Sequence, residues 1–190
     1  MAGTRSNPDL PGQFILDTTI KNIPETWISE RIGDWFLGSH PTLPVIRLFD
    51  ENNRATGWLL GYAIDEHGRL LQDNDTLRVN GLIDGRESAE EEFTYRFGGR
   101  FLTVFAGTRW PRVYLDPCGS LSAVYYPHGK IIASTTNLIP YDNLTNDRID
   151  LAGELGIPHT NAMYPLDLTP RYHIFRLLPN HYLDLSTWQS

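Results

Sequence analysis

The reactive side chains of this sequence are few, and its single thiol is the first to consider. Cys118 is the only cysteine, so the chain can form neither an intramolecular disulfide nor a zinc site with several thiolates. It lies between Pro117 and Gly119, with no histidine within a few residues that could act as its base. We therefore predict a small, semi-buried turn residue rather than a nucleophile.

The histidines are scattered along the chain. None of the six forms a pair at i, i+4 spacing, and none is paired with a cysteine, so the usual metal-binding patterns are missing. The sequence therefore predicts no metal site and no cofactor. The histidines are His40, His67, His128, His159, His173 and His181.

Three further groups of polar residues could do chemistry. The pair Asn80-Gly81 could offer backbone amides as an oxyanion hole, but Asn-Gly is also the commonest tight-turn dipeptide, and we favour the turn. Thr4 and Ser6 carry hydroxyls that processing could expose beside a new α-amine, although a solvated tail is the simpler interpretation. The run of three glutamates at 90–92 is interpreted as a solvated helix face near the positive end of the helix dipole.

The elements that would position these residues are mostly short strands. Apolar alternation between polar turns predicts strands over 45–49, 57–64, 101–105, 112–115, 123–126 and 131–134. Because the connectors among the last four are short, we expect an antiparallel meander, followed by a final hairpin of 174–178 with 181–185. Helices are predicted over 88–97, opened by a capping box of Ser88 and Glu91, and over 147–155, ended by Gly156.

One turn has an evident architectural function. The carboxylate of Asp116 can accept backbone N–H groups of the turn that it opens, and Gly119 supplies a positive φ. On the strand that follows, Tyr125 and Tyr126 face opposite sides, so one ring is expected in the core and the other at its boundary.

Composition indicates one folded unit. The chain has 190 residues, of which 41% are hydrophobic and 21% charged, which is ordinary globular usage. We expect a disordered tail over 1–13 and a single domain over 14–190. A net charge of −7 disfavours nucleic acid and anionic membranes as partners. With no apolar run near the roughly 18 residues of a membrane helix and no signal peptide, we expect a cytoplasmic protein.

Five segments, in order, carry a family resemblance. A glycine-phenylalanine strand at 98–105, the Asp-x-x-Gly turn within 113–120, the tyrosines at 125–126, the Ala-Ser strand end at 132–134 and a proline-led hairpin at 176–184 resemble the N-terminal domain of asparagine synthetases and β-lactam synthetases. The resemblance implies an α+β fold: an N-terminal-nucleophile (Ntn) hydrolase-like, four-layer αββα sandwich of two antiparallel sheets.

The resemblance also implies a chemistry that this chain lacks. Glutaminases of the family attack with an N-terminal cysteine exposed by removal of the initiator methionine, whereas Ala2 follows Met1 here. The family's arginine for the substrate carboxylate aligns with Gly61, and its oxyanion amides align with Asn80 and Gly81, as a vestigial pocket. We therefore expect a catalytically silent glutamine-amidotransferase-like domain that is the structural or interaction partner of an ATP-dependent amide-forming synthetase.

The partner would be the synthetase domain or subunit, or a second copy of the chain, and an apolar face for it should be exposed. Two alternatives stay open. One is an active amidohydrolase that uses Cys118 or a processed Thr4 or Ser6. The other is a small-ligand or peptide-binding module that reuses the vacated pocket.

Overall fold

The structure is a computed structural model that describes residues 11–73, 75–140 and 147–190. Within these ranges the structure has twelve strands and two short α-helices. The α-helices are α1 (Ala89–Thr94) and α2 (Ile149–Leu155). In chain order the strands are β1 (Phe14–Asp17), β2 (Ile28–Ile32), β3 (Trp35–Ser39), β4 (Val45–Phe49), β5 (Ala55–Ile64), β6 (Thr76–Arg78), β7 (Gly98–Phe105), β8 (Arg112–Leu115), β9 (Val124–Tyr126), β10 (Ile131–Ala133), β11 (Phe175–Arg176) and β12 (Tyr182–Asp184).

The strands form two sheets of six. The first sheet has the order β11-β9-β10-β1-β3-β2, and the second has the order β12-β8-β7-β5-β4-β6. Among the described strands, β4 and β6 pair in parallel and every other pairing is antiparallel. The expectation of an α+β protein with two sheets and few helices is confirmed at this level. No helix of the described ranges is long and apolar enough to cross a bilayer.

The two sheets pack face to face. Successive side chains of each strand point to opposite faces of its sheet, and apolar residues occupy both faces. On β7, Leu102 and Val104 join a buried cluster with Phe14 and Leu16 of β1, which belongs to the other sheet. The intervening Ile15 points to the opposite side and packs in a separate cluster on the outer face of the first sheet. Strands with apolar residues on both faces are buried on both faces, so each sheet needs an outer cover as well.

Helix α1 supplies that cover for the second sheet. Its Phe93 contacts Phe105 edge to face at 6.1 Å between ring centroids, and Phe97, just past the helix, contacts Phe101 at 6.2 Å. The helix ends at Thr94, earlier than predicted. The predicted capping box is wrong in detail, since the Ser88 hydroxyl donates to the Glu92 carboxylate at 2.7 Å rather than capping a backbone amide.

The predicted meander is correct in its hairpins and wrong in its continuity. Strand β7 pairs with β8, and β9 pairs with β10, but the two hairpins belong to different sheets. The predicted final hairpin is also wrong, because β11 pairs with β9 in the first sheet and β12 with β8 in the second. Alternation reports that a strand is buried but not which of two similar sheets it joins, so the sequence pattern could not show these crossings.

Other sequence expectations are confirmed. Strands β4 and β5 form the predicted hairpin, and α2 ends at Gly156, which has a φ of 69°. Tyr125 is buried and Tyr126 partly buried. Of the predicted tail, residues 1–10 lie outside the described residues, and the candidate nucleophiles Thr4 and Ser6 belong to this range. Gln13, at the end of the predicted tail, is buried, and its carbonyl accepts the His40 N–H at 2.9 Å.

Candidate functional site

A cleft of about 270 Å³ opens where the chain enters β1. We call it the entrance cleft; its lining includes Gly12, Thr42, Gly61, Tyr62, Arg100 and Leu121. These residues come from the segment before β1, the loop between β3 and β4, strands β5 and β7, and the segment before β9. The cleft is therefore assembled from two strands of the second sheet and from segments that connect to strands of the first sheet.

The loop after β3 anchors one wall of the cleft. The Gly12 N–H donates to the Thr42 hydroxyl at 3.1 Å, and the Thr42 N–H donates to His40 Nδ1 at 3.1 Å. The same hydroxyl lies 2.8 Å from Nδ1. A hydroxyl beside an imidazole has the geometry of a nucleophile and its base, but here these bonds hold the turn and fix the path of the chain into β1. The sequence did not lead us to predict this pair. The pattern that could have indicated it is the i, i+2 spacing of His40 and Thr42.

The opposite wall carries the charge of the cleft. Arg100 and Tyr62 are register partners on β7 and β5, and both side chains are exposed. Within the described residues no carboxylate lies within salt-bridge distance of the Arg100 guanidinium. A guanidinium in this state can receive a carboxylate from a ligand.

Gly61 cannot be replaced by a residue with a side chain. Its φ is +102°, and a Cβ at this position would overlap the carbonyl oxygen of Arg100 and lie 3.2 Å from Leu121 Cδ2. Backbone packing therefore fills the position at which the resemblance led us to expect a substrate-binding arginine. The positive charge of the entrance cleft comes instead from the neighbouring strand, through Arg100.

The structure does not bring Asn80 and Gly81 to this cleft. Gly81 has a φ of +88° in a turn, and its N–H donates to the Glu51 carboxylate. Backbone N–H groups, that of Gly81 among them, lower the pKa of Glu51. Because an amide that already serves an internal carboxylate has no free N–H for an oxyanion, the arrangement favours the turn interpretation of this dipeptide.

The predicted architectural role of the Asp116 turn is confirmed. Asp116 is fully buried, and its carboxylate accepts the N–H groups of Cys118, Ser120, Leu121 and Phe101 at 3.0, 2.8, 3.2 and 3.4 Å. The turn carries the chain from β8 in the second sheet to β9 in the first. It also places Leu121 at the entrance cleft, so it supports that wall from behind.

Gly119 has the predicted positive φ, 61°. A Cβ on Gly119 would lie 2.7 Å from Pro179 Cγ, so the turn also packs closely against the segment before β12. The prediction for Cys118 is wrong in its burial, because this residue is exposed rather than semi-buried. The turn directs its backbone amides inward to Asp116 and leaves the thiol on the surface.

Glu90 corrects the interpretation of the glutamate run. Glu91 and Glu92 are exposed as predicted, but Glu90 is only 2% exposed, and within the described part of the chain neither of its carboxylate oxygens has a hydrogen-bond partner. Burial raises the pKa of Glu90 to about 7, against the opposing effects of the Thr108 hydroxyl and the Arg112 charge. The signal for its burial is its spacing of three and seven residues from Phe93 and Phe97, which puts it on the apolar face.

The described residues contain no group of three or more histidine, cysteine, aspartate and glutamate side chains that could hold a metal ion. Comparisons of the chain with protein-family models, with curated proteins and with solved structures found no match. The case for a function therefore depends on the residues and on their geometry.

Proposed function

We propose that this chain is a catalytically silent glutamine-amidotransferase-like domain with an Ntn hydrolase-like αββα sandwich, and that it is the structural or interaction partner of an ATP-dependent amide-forming synthetase. One observation carries the proposal: the protein is a two-sheet sandwich, and the segment that enters β1 at the entrance cleft has no nucleophilic side chain. The segment that leads into β1 is Pro11-Gly12-Gln13, which has neither thiol nor hydroxyl.

The other groups with nucleophilic atoms support the same conclusion. The Thr42 hydroxyl accepts the Gly12 N–H and so stabilises the loop, and Cys118 is not among the residues that line the cleft. Gly61 leaves no room for the arginine that the family uses to bind the substrate carboxylate. A site that lacks both the nucleophile and the substrate anchor is expected to lose turnover by several orders of magnitude, of order a millionfold for the nucleophile alone.

Exposed apolar side chains support the partner role. Within the segment that runs from α2 to β11, Ile149, Met163 and Leu166 are each more than 70% exposed. Large apolar groups in one segment of surface are typical of interaction sites. We take these three side chains as candidate contacts for the synthetase.

The first test is an assay of ammonia release from glutamine, with intact mass spectrometry of the same sample. We expect no ammonia above the level of heat-denatured protein. Cys118→Ala and Thr42→Val are the matched variants for the two candidate nucleophiles. Ammonia release by the wild type would overturn the proposal. Its loss in either variant would identify the nucleophile, and its persistence in both, with a shortened mass, would indicate a processed Thr4 or Ser6.

The second test addresses the partner. The chain is co-expressed with an amide-forming synthetase encoded beside it, and complex formation is measured by analytical ultracentrifugation. We expect a complex that Met163→Glu and Leu166→Glu weaken, because each puts a charge into an apolar contact. The exposed Glu91→Gln serves as a control, and failure of the wild-type proteins to associate would contradict the partner role.

The entrance cleft also favours a second candidate, a module that binds a small carboxylate ligand through Arg100 and Tyr62. A ligand at a hundred times its Kd stabilises the folded protein by about 2.7 kcal/mol. Glutamine, glutamate and short peptides are therefore screened by thermal shift. Binding is expected to disappear in Arg100→Gln, and no shift with any of the three ligand types would remove this candidate.

A further inference from the structure

A second cleft, of about 260 Å³, lies at the other end of the second sheet. We call it the loop-end cleft; its lining includes Asn52, Arg54, Thr56, Gly107 and Arg109. It forms where the turn between β4 and β5 meets the loop between β7 and β8. Arg54 precedes β5, whereas Gly61 and Tyr62 lie in its last four residues, so the two clefts are separated by about 20 Å of strand.

Two positive charges of this cleft have no carboxylate partner among the described residues. Arg54 and Arg109 are both exposed, and within the described residues neither guanidinium has a carboxylate within 4 Å. The nearest acidic residue in the lining, Asp50, is buried and accepts the N–H groups of Asn52 and Arg54 at 2.9 and 2.8 Å. Its carboxylate is thus committed to the turn, and it leaves the Arg54 guanidinium without an ion pair.

The loops hold both arginines at the rim. The Arg109 guanidinium stacks 4.8 Å from the centre of the Trp110 ring, which restricts its motion. Arg54 belongs to a turn closed by a hydrogen bond from the Asp50 N–H to the Arg54 carbonyl at 2.9 Å. The neighbouring loop is fixed to β5 by the Gly107 N–H, which donates to the Thr56 carbonyl at 2.9 Å.

We propose that the loop-end cleft binds a small phosphate-bearing anion between Arg54 and Arg109. Two guanidiniums offer more N–H donors than the two oxygens of one carboxylate can accept, whereas a phosphate group has enough oxygens for a fork from each side. The Asn52 side-chain amide adds a neutral donor at the same rim. The site is independent of the proposed function, since it shares no lining residue with the entrance cleft.

The charge of the whole chain limits the ligand to a small one. A net charge of −7 repels an extended polyanion. The two arginines of the cleft can therefore outweigh this repulsion only for a compact anionic group. A volume of about 260 Å³ is at the lower end of small-molecule sites. We therefore infer a ligand of the size of phosphate, pyrophosphate or a short-chain phosphate ester.

The fluorescence of Trp110 provides a direct readout. Trp110 is partly exposed, whereas the other four tryptophans are at most 8% exposed, so a ligand that contacts Arg109 should change the emission of this ring first. The protein is titrated with inorganic phosphate and with pyrophosphate, and in parallel with acetate at matched ionic strength. We expect a saturable change with the two phosphates, none with acetate, and loss of the signal in Trp110→Phe.

Isothermal titration calorimetry then measures affinity in the variants. Arg54→Gln and Arg109→Gln are each expected to weaken phosphate binding by about tenfold, with folding checked by circular dichroism. Arg78→Gln removes an exposed arginine that lines neither cleft, so it should leave the Kd unchanged. A response shared with acetate, an equal loss in Arg78→Gln, or no saturable response to either phosphate would overturn the proposal.

Discussion

Asp116 and Glu90 are both buried carboxylates of this domain, yet their surroundings are opposite. Asp116 is 0% exposed and accepts four backbone N–H groups, whereas Glu90 is 2% exposed and accepts none from the residues that the structure describes. The difference follows from the element that carries each residue. A turn has free amides that can point at its first side chain, while a side chain on a helix points outward from the axis along which the helix amides lie.

Asp116 and Glu90 show two ways in which a charged group is buried in this protein. The turn solvates Asp116 with its own amides, so that carboxylate is part of the architecture that links the two sheets. The groups that act on the Glu90 carboxyl are side chains: the Thr108 hydroxyl and the Arg112 guanidinium favour its ionised form, and the Asp184 carboxylate opposes it. Removal of the first should therefore cost stability at any pH at which the protein folds, and removal of the second should matter only where the carboxyl is ionised.

The largest effect is expected for Asp116→Ala, which leaves the amides of the turn buried without an acceptor. We expect a loss of about 4 kcal/mol in the free energy of unfolding, measured by urea denaturation. Asp65→Ala is the matched control, because Asp65 caps a similar turn through the His67 and Arg69 amides on the surface. An equal loss in both variants would show that burial adds nothing to the role of Asp116.

The next largest effect is expected for Glu90→Gln, and this effect depends on pH. The pKa of Glu90 is raised from 4.5 to about 7 in the folded protein, so the folded state holds its proton after the unfolded state has released it. This group therefore contributes full stability below pH 4.5 and loses it as the pH rises through about 7. The glutamine does not ionise, so the stability of the variant relative to wild type should grow by about 3 kcal/mol over that interval.

The measurement is urea denaturation at a series of pH values for wild type, Glu90→Gln and the exposed Glu91→Gln. The last variant changes the same charge on the solvent side of α1 and should follow the wild-type pH profile. A constant difference between wild type and Glu90→Gln across the range would mean that the pKa of Glu90 is the same in the folded and unfolded states, contrary to the shift described here.

The smallest of the three effects is expected for Gly119→Ala in the Asp116 turn. The positive φ of 61° and the contact with Pro179 should together cost about 2 kcal/mol in the free energy of unfolding. Addition of Pro179→Ala should restore the part due to the contact and leave the backbone part. If the double variant is no more stable than Gly119→Ala after correction for Pro179→Ala alone, the contact with the proline contributes nothing.

Local chemistry in the sequence was a good guide wherever neighbours along the chain decide the structure. The β4–β5 hairpin, the Gly156 end of α2 and the Asp116 turn all follow from residues within a few positions of each other. Glu90 shows the limit: its neighbours Glu91 and Glu92 are solvated, and only its spacing from Phe93 and Phe97 distinguished it.

The candidate sites were harder to foresee than the elements. The entrance cleft joins Gly12 to Arg100, and the loop-end cleft joins Arg54 to Arg109, over separations that no local pattern links. Asn80 and Gly81, chosen from a dipeptide, lie in a turn where Glu51 takes the glycine amide. Which loops meet is set by strand order, and alternating strands are compatible with several orders.

The sequence by itself determined that this is a strand-rich chain with a turn closed by the Asp116 carboxylate, since alternation and turn chemistry act between near neighbours. Only the tertiary structure decided that the hairpins of β7–β8 and β9–β10 separate into two sheets, and that Glu90 is enclosed while Cys118 is exposed. The physical reason is that burial and sheet membership depend on contacts between distant segments. Those contacts are selected by the packing of the whole core, and no short stretch of residues encodes them.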